Sequence, residues 1–178
     1  MTNQSVEWAE LVQVLEHQNM SPDDFRPGDI LIIRFGYIAQ YEEMDDSKRD
    51  KLNELYKTQK PENIGIRPSE EFLKFLWDKK IAAVGGDSRS FEVWPCQELE
   101  WHLHEWLLAG WGMTIGELFD LEALSRISAS LGRYTFFLSS SPMNVRYIIP
   151  AYPLCDYTLT YDKAPGGVAS PPNALAFF

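Results

Sequence analysis

Trp8, Leu11, Val12 and Leu15 recur at three- and four-residue spacing between Val6 and His17, which predicts an amphipathic helix. Ser21-Pro22-Asp23-Asp24 ends it, and Arg26-Pro27-Gly28-Asp29 forms a turn before the short apolar run Ile30 to Phe35. That run has the pattern of a strand buried on both faces. Asp45 to Lys57 is charged, with Leu52, Leu55 and Tyr56 along one side, and reads as a surface helix. Ser69 is an N-cap for a helix from Glu70 to Lys79, whose apolar face is Phe72, Leu73, Leu76 and Trp77. Ile81 to Gly85 reads as a second buried strand ending at a Gly-Gly-Asp turn, and a helix follows from about Glu98 to Ala109. After a glycine-punctuated turn, Thr114 and Glu117 have the spacing of a capping box ahead of Leu118, Phe119, Leu121 and Leu124. Tyr134 to Leu138 is a good strand, and Ala174 to Phe178 could be a terminal one. Asn144 to Gly167, rich in Tyr and Pro, follows neither period. This alternation of strands and helices predicts an α/β fold, one mixed α/β domain over residues 1–178.

Composition narrows the function classes. At 178 residues and 45% hydrophobic, the chain can bury one sizeable core. A net charge of −10, with only short basic clusters beside acids, argues against nucleic acid or an anionic membrane as partner. Cys96 and Cys155 make neither a disulfide framework nor a CxxC metal motif. The segment from Met1 to Trp8 lacks the pattern of a signal peptide, and no apolar stretch approaches membrane-spanning length. A cytoplasmic, reducing location is the expectation. The aromatic share of 13%, including six Trp, suits a pocket for an aromatic small molecule and leaves room for a homo-oligomer.

Candidate chemistry concentrates between His104 and Glu117. An imidazole and a carboxylate on either side of a glycine-rich turn are a usual ligand set for a catalytic divalent metal, although two ligands alone do not complete a site. Each has a plainer alternative: His104 packed between Trp101 and Leu108, and Glu117 as the acidic half of a capping box. His102 points off the other side of a regular helix and could not chelate together with His104. Gly85-Gly86-Asp87-Ser88 lacks the Walker lysine, so it reads as a strand-ending turn with Asp87 beside a pocket. Ser88 has no GxSxG context. Trp94, Trp101, Trp106 and Trp111 are core residues or, lying so close to the candidate site, an aromatic pocket wall.

Four segments in order carry a family resemblance. Phe25-Arg-Pro-Gly-Asp-Ile-Leu-Ile-Ile-Arg-Phe-Gly36 resembles the Gly-Asp-aliphatic-Leu strand of the metal-dependent cyclase family that includes bacterial kynurenine formamidases. Ile81-Ala-Ala-Val-Gly-Gly-Asp-Ser88 is similar to its Val-Gly-x-Asp segment. His104 and Glu117 fall where the family places a metal-binding His and Glu, with a gap one residue longer than in the bacterial enzymes. Gly166-Gly-Val-Ala-Ser-Pro-Pro-Asn-Ala-Leu-Ala-Phe177 looks like the closing strand of fungal-type members. The family's HxxxHxD motif, upstream of the first of these segments, has no counterpart here: His17 alone precedes Asp29. The resemblance thus implies an incomplete swivelling β/β/α cyclase fold, N-terminally truncated, with 146–164 as an insertion.

What the family implies is metal-dependent hydrolysis of a small-molecule amide, arylformamidase-like, converting N-formylkynurenine to kynurenine in tryptophan catabolism. The cofactor would be a divalent metal, zinc above others, with His104 and Glu117 as ligands. With the remaining ligands missing, the chain is expected to be inactive as written, possessing little or no bound metal. The alternative is a non-catalytic binding or oligomerisation module derived from that fold.

Overall fold

The computed structural model describes residues 4–60, 62–140 and 174–178. They fall into two compact units, Met1–Arg133 and Tyr134–Phe178. The 146–164 stretch read as an insertion lies outside the described residues.

In the first unit, β1 (Ser5–Val6) leads into α1 (Trp8–His17), and β2 (Ile30–Ile33) is followed by α2 (Tyr37–Glu42) and α3 (Asp46–Thr58). Then come β3 (Gly65–Ile66), α4 (Glu70–Asp78), β4 (Ala83–Gly86), β5 (Thr114–Gly116) and α5 (Glu122–Leu131). β2, β4 and β5 form a parallel sheet with β4 central, Ile30 opposite Ala83 and Gly85 opposite Gly116. The pattern expected of a doubly buried strand at Ile30 to Phe35 is only partly met. Among the described residues β2 is an edge strand, and Ile30 is 43% exposed. The second unit contributes the antiparallel pair β6 (Phe137–Ser140) and β7 (Ala174–Phe177).

The core forms where helical periodicity and aromatic bulk coincide. Ser69 Oγ accepts the Phe72 amide at 3.2 Å, two acids occupy the first turn, and α4 buries Phe72, Leu73, Phe75 and Leu76. Trp77, assigned to that face by spacing, is instead 63% exposed, its ring 5.1 Å from that of Trp111; Phe75 takes the inward position. Trp8 of α1 lies 4.6 Å from Phe75, ring centre to ring centre, and joins the two helices.

Asp87 ends β4 as expected, but its role is internal. Fully buried, it accepts the amides of Phe35, Gly36 and Tyr37 and so holds the start of α2. The Ser88 hydroxyl donates to the Ile64 carbonyl at 2.6 Å, a loop-to-loop tie rather than a nucleophile's arrangement.

The element that matters most for the site is an extended stretch, Phe91–Trp94, laid against β3. Ile66 donates to the Phe91 carbonyl, Val93 to that of Ile66, and Asn63 and Trp94 exchange backbone hydrogen bonds at 3.1 and 3.2 Å. Gly65 permits this approach: a Cβ there would stand 2.2 Å from the Glu92 carbonyl carbon and 2.4 Å from its oxygen. Backbone cannot swing aside as a side chain can. Gly65→Ala is therefore expected to destabilise the protein by about 2 kcal/mol or more, read from its urea midpoint. Gly116→Ala, whose new methyl would meet the Phe119 ring at 2.2 Å, should cost less because that ring can turn. Equal losses would contradict this account of the close approach.

Candidate metal centre

The segment predicted as one helix from Glu98 to Ala109 is broken in the structure. Leu99–Trp101 is a single 3-10 turn, His102 adopts φ −51° and ψ 108°, and Glu105–Trp111 winds as a π-helix ending at Gly112 in the left-handed region. A π turn accommodates an additional residue. The wide turn lies between His104 and Glu117 and so sets how the two approach each other.

The break overturns the geometric objection to His102. Without a continuous helix, His102 and His104 both turn toward one carboxylate, Glu92, with their rings 5.9 Å apart. Glu92 is fully buried. Its Oε2 accepts the Leu103 amide at 2.7 Å; its Oε1 accepts the His104 amide at 3.2 Å and lies 2.5 Å from His104 Nδ1. A carboxylate at the start of a helical segment, accepting two otherwise unpaired amides, is favourably placed. His102 Nε2 stands 3.1 Å from the same oxygen but out of hydrogen-bonding alignment, so it is a buried nitrogen without a hydrogen-bond partner among the described residues.

Glu117 reaches the same place from the other side. The capping box predicted for Thr114 and Glu117 does not form, because Thr114–Gly116 is strand β5. The next helix begins at Glu122, whose amide donates to Asp120 Oδ1 at 3.1 Å. Parallel pairing with β4 overrode the local signal. Glu117 Oε1 instead accepts the Phe91 amide at 2.9 Å and stands 3.3 Å from His104 Nε2. This contrast is testable in metal-free protein. Thr114→Ala, at an exposed position, should leave the melting midpoint almost unchanged, whereas Glu117→Ala should lose about 1.5–3 kcal/mol with its Phe91 hydrogen bond and its contact to His104. Matching losses would restore the capping assignment.

The imidazole of His104 lies between Glu117 and Glu92, and hydrogen bonds to these two, in that order of effect, raise its pKa from 6.5 to about 9 against the opposing effect of burial. Both His102 and His104 line an open cleft of about 400 Å³, together with Asn63, Arg89, Ser90, Trp94 and Glu117. Cys96, beside it in sequence, is a free thiol whose pKa burial raises.

Two donor arrangements suit a divalent metal. Ligand atoms of Glu92, His102 and His104 all lie within 4.8 Å of one another. Glu92, however, already spends both oxygens on two amides and an imidazole. His104 Nε2 and Glu117 Oε1 fit better: two donors of a tetrahedral zinc, each about 2.0–2.1 Å from the ion, stand about 3.3 Å apart, and these stand at 3.3 Å. Glu92 behind Nδ1 then acts as the outer carboxylate that orients a ligating histidine. The buried, unpartnered His102 nitrogen adds a third donor, and a second imidazole, nearby.

Sequence reading placed His104 and Glu117, and the structure brings them together. It missed Glu92. A lone acid between Phe91 and Val93 has the alternation of a half-exposed strand, in which Glu92 would face solvent, and nothing local signals otherwise.

No protein-family model matches the chain, and no curated protein matches it. Among solved structures it is similar to a crystal structure described as that of a novel cyclase, at 26% identity with a TM-score of 0.71. That match covers 99% of this chain and 48% of the other, so the chain spans about half the length of the protein it resembles. The chain has a mixed α/β, cyclase-family fold.

Proposed function

We propose that this chain carries the His–Glu half of the metal centre of an arylformamidase-like amide hydrolase, and that taken alone it is catalytically silent. The observation that carries the reading is the line Glu92–His104–Glu117: one buried carboxylate holding Nδ1, and a second facing Nε2 at the cleft wall. In this reading His104 and Glu117 hold the ion, zinc by the chemistry of the donors, while Glu92 fixes the histidine tautomer and ring plane. A divalent ion bound there would supply Lewis acidity toward an amide carbonyl and would lower the pKa of water toward neutrality. Trp94, its ring 6.3 Å from that of His102, gives the aryl group of a substrate such as N-formylkynurenine a flat wall. His104 cannot be a ligand and also hand a proton to the leaving amine.

Catalytic zinc sites use three protein ligands. Two, with His102 nearby, support weak and exchangeable binding by this chain. Zinc content after dialysis should be well below one per chain, and metal-supplemented protein should not hydrolyse N-formylkynurenine. Near-stoichiometric zinc, or turnover that His104→Ala abolishes, would mean that the chain builds a complete site unaided. Zinc binding indifferent to His104→Ala would reject the metal centre itself.

A second reading is a non-catalytic module, which the aromatic surface favours. Trp77 and Trp106 are 63% and 38% exposed, and both rings contact Trp111. Concentration-dependent association, lost in a Trp77→Ser, Trp106→Ser double variant while zinc binding persists unchanged, would assign that surface to self-association.

A further inference from the structure

Beyond the metal-holding pair, the cleft wall contains polar groups that the proposed chemistry leaves without a task. Arg89 is exposed at the cleft, its guanidinium 5.1 Å from the centre of the Tyr56 ring. Among the described residues no carboxylate lies within ion-pair distance of it, in a chain whose acids outnumber its Lys and Arg by 26 to 16. The guanidinium also donates a hydrogen bond to the Tyr37 hydroxyl, and held in this way against an aromatic face it is pre-oriented, with five N–H donors of which the Tyr37 contact uses only part. Next to it, Ser90 is only 8% exposed, lines the same cleft, and its hydroxyl has no hydrogen-bond partner among the described residues. A buried hydroxyl left unpaired costs free energy, and a ligand that pairs it recovers that cost. Trp94 forms the aromatic part of the wall, held by its two backbone hydrogen bonds to Asn63.

We propose that Arg89, Ser90 and Trp94 form a substrate subsite that selects aryl amides bearing a carboxylate. It rests on the hydrolase reading for the word substrate, but its recognition chemistry does not depend on a metal. The aryl ring lies along Trp94, and the carboxylate takes charge-assisted hydrogen bonds from Arg89 and one from the Ser90 hydroxyl. Glu117, the acid on the same wall, does not oppose this strongly, since its Oε1 already faces the Phe91 amide and His104. The subsite thus sets which amide is presented to the His104–Glu117 pair, and uncharged formanilides are poor ligands.

The test uses metal-free protein and two nearly isosteric probes, 2-formamidobenzoate and the neutral 2-formamidobenzamide, by calorimetry and tryptophan fluorescence. The unmodified chain should bind the acid about tenfold more tightly, the low end for a hydrogen bond to a charged group at an exposed site. Arg89→Met should erase the preference, Arg89→Lys should keep part of it, and Ser90→Ala should weaken only the acid. Arg89 is exposed, so its variants should keep the parent's melting curve, which is recorded alongside. Equal affinities for the two probes, including no measurable binding of either, would overturn the proposal, as would a preference that survives Arg89→Met. Failure of the metal reading shows separately, as zinc binding that His104→Ala leaves unchanged.

Discussion

Glu92→Ala should lower the stability of the metal-free protein by about 3–5 kcal/mol, the range for removing one partner of a buried charged pair. Glu92 is fully buried, and three donors converge on it: the amides of Leu103 and His104 and the His104 ring. Its removal leaves those donors without their acceptor in a buried place. An isolated buried carboxylate would be costly in itself, so the sign depends on this compensation. Because native domains hold only about 5–15 kcal/mol in reserve, the melting midpoint should fall by about 10 °C or more. Glu92→Gln should lose less, since its amide oxygen can still accept from one donor. A Glu92 that served only as a metal ligand would behave in the opposite way: without metal, replacing it would relieve a buried charge. Apo protein as stable after Glu92→Ala as before would therefore rule out the positioning role.

The parts of the fold legible in the sequence were those governed by local physics. α4 announces itself through Ser69 and the apolar spacing behind it, and β4 through an aliphatic run ended by Gly-Gly-Asp. The parts that were not legible depend on partners distant along the chain. Thr114 to Glu117 meets the local rule for a helix start, yet pairing with Ala83–Gly85 makes Thr114–Gly116 a strand. The run from Glu98 looks helical until Glu92, several residues earlier, captures the amides of Leu103 and His104 and breaks it at His102. The same long-range contact hid the site's most buried acid and made His102 look like an outward-facing bystander. His104 and Glu117 were recognisable only as residue types in a family-like order. Their 3.3 Å approach comes from β5 and the π turn, neither of which spacing predicts.

Zinc affinity should rise about hundredfold between pH 6 and pH 8 and be lost at both pH values in His104→Gln. In the metal-free fold the His104 pKa is raised to about 9, chiefly by its hydrogen bond to Glu117 and then by that to Glu92. Across pH 6–8 the ring is therefore mostly protonated, and an ion that takes Nε2 must displace one proton. Each pH unit in that window then gives about a tenfold gain, which flattens as pH approaches 9. The same shift fixes the pH dependence of stability without metal. The folded pKa lies above the value near 6.5 expected of an unfolded histidine, so the protonated ring's contribution is complete below about 6.5 and disappears as pH rises through about 9. The difference in urea midpoint between the parent chain and His104→Gln should accordingly shrink across that interval. Competition with zinc adds a second signature: saturating metal should replace the falling apo curve with a rising one, since metal binding to the folded state stabilises it more as the proton leaves. An affinity that is flat from pH 6 to 8 would mean that the ion binds without displacing the His104 proton. It would then sit elsewhere, with the Glu92–His104–Glu117 line purely structural.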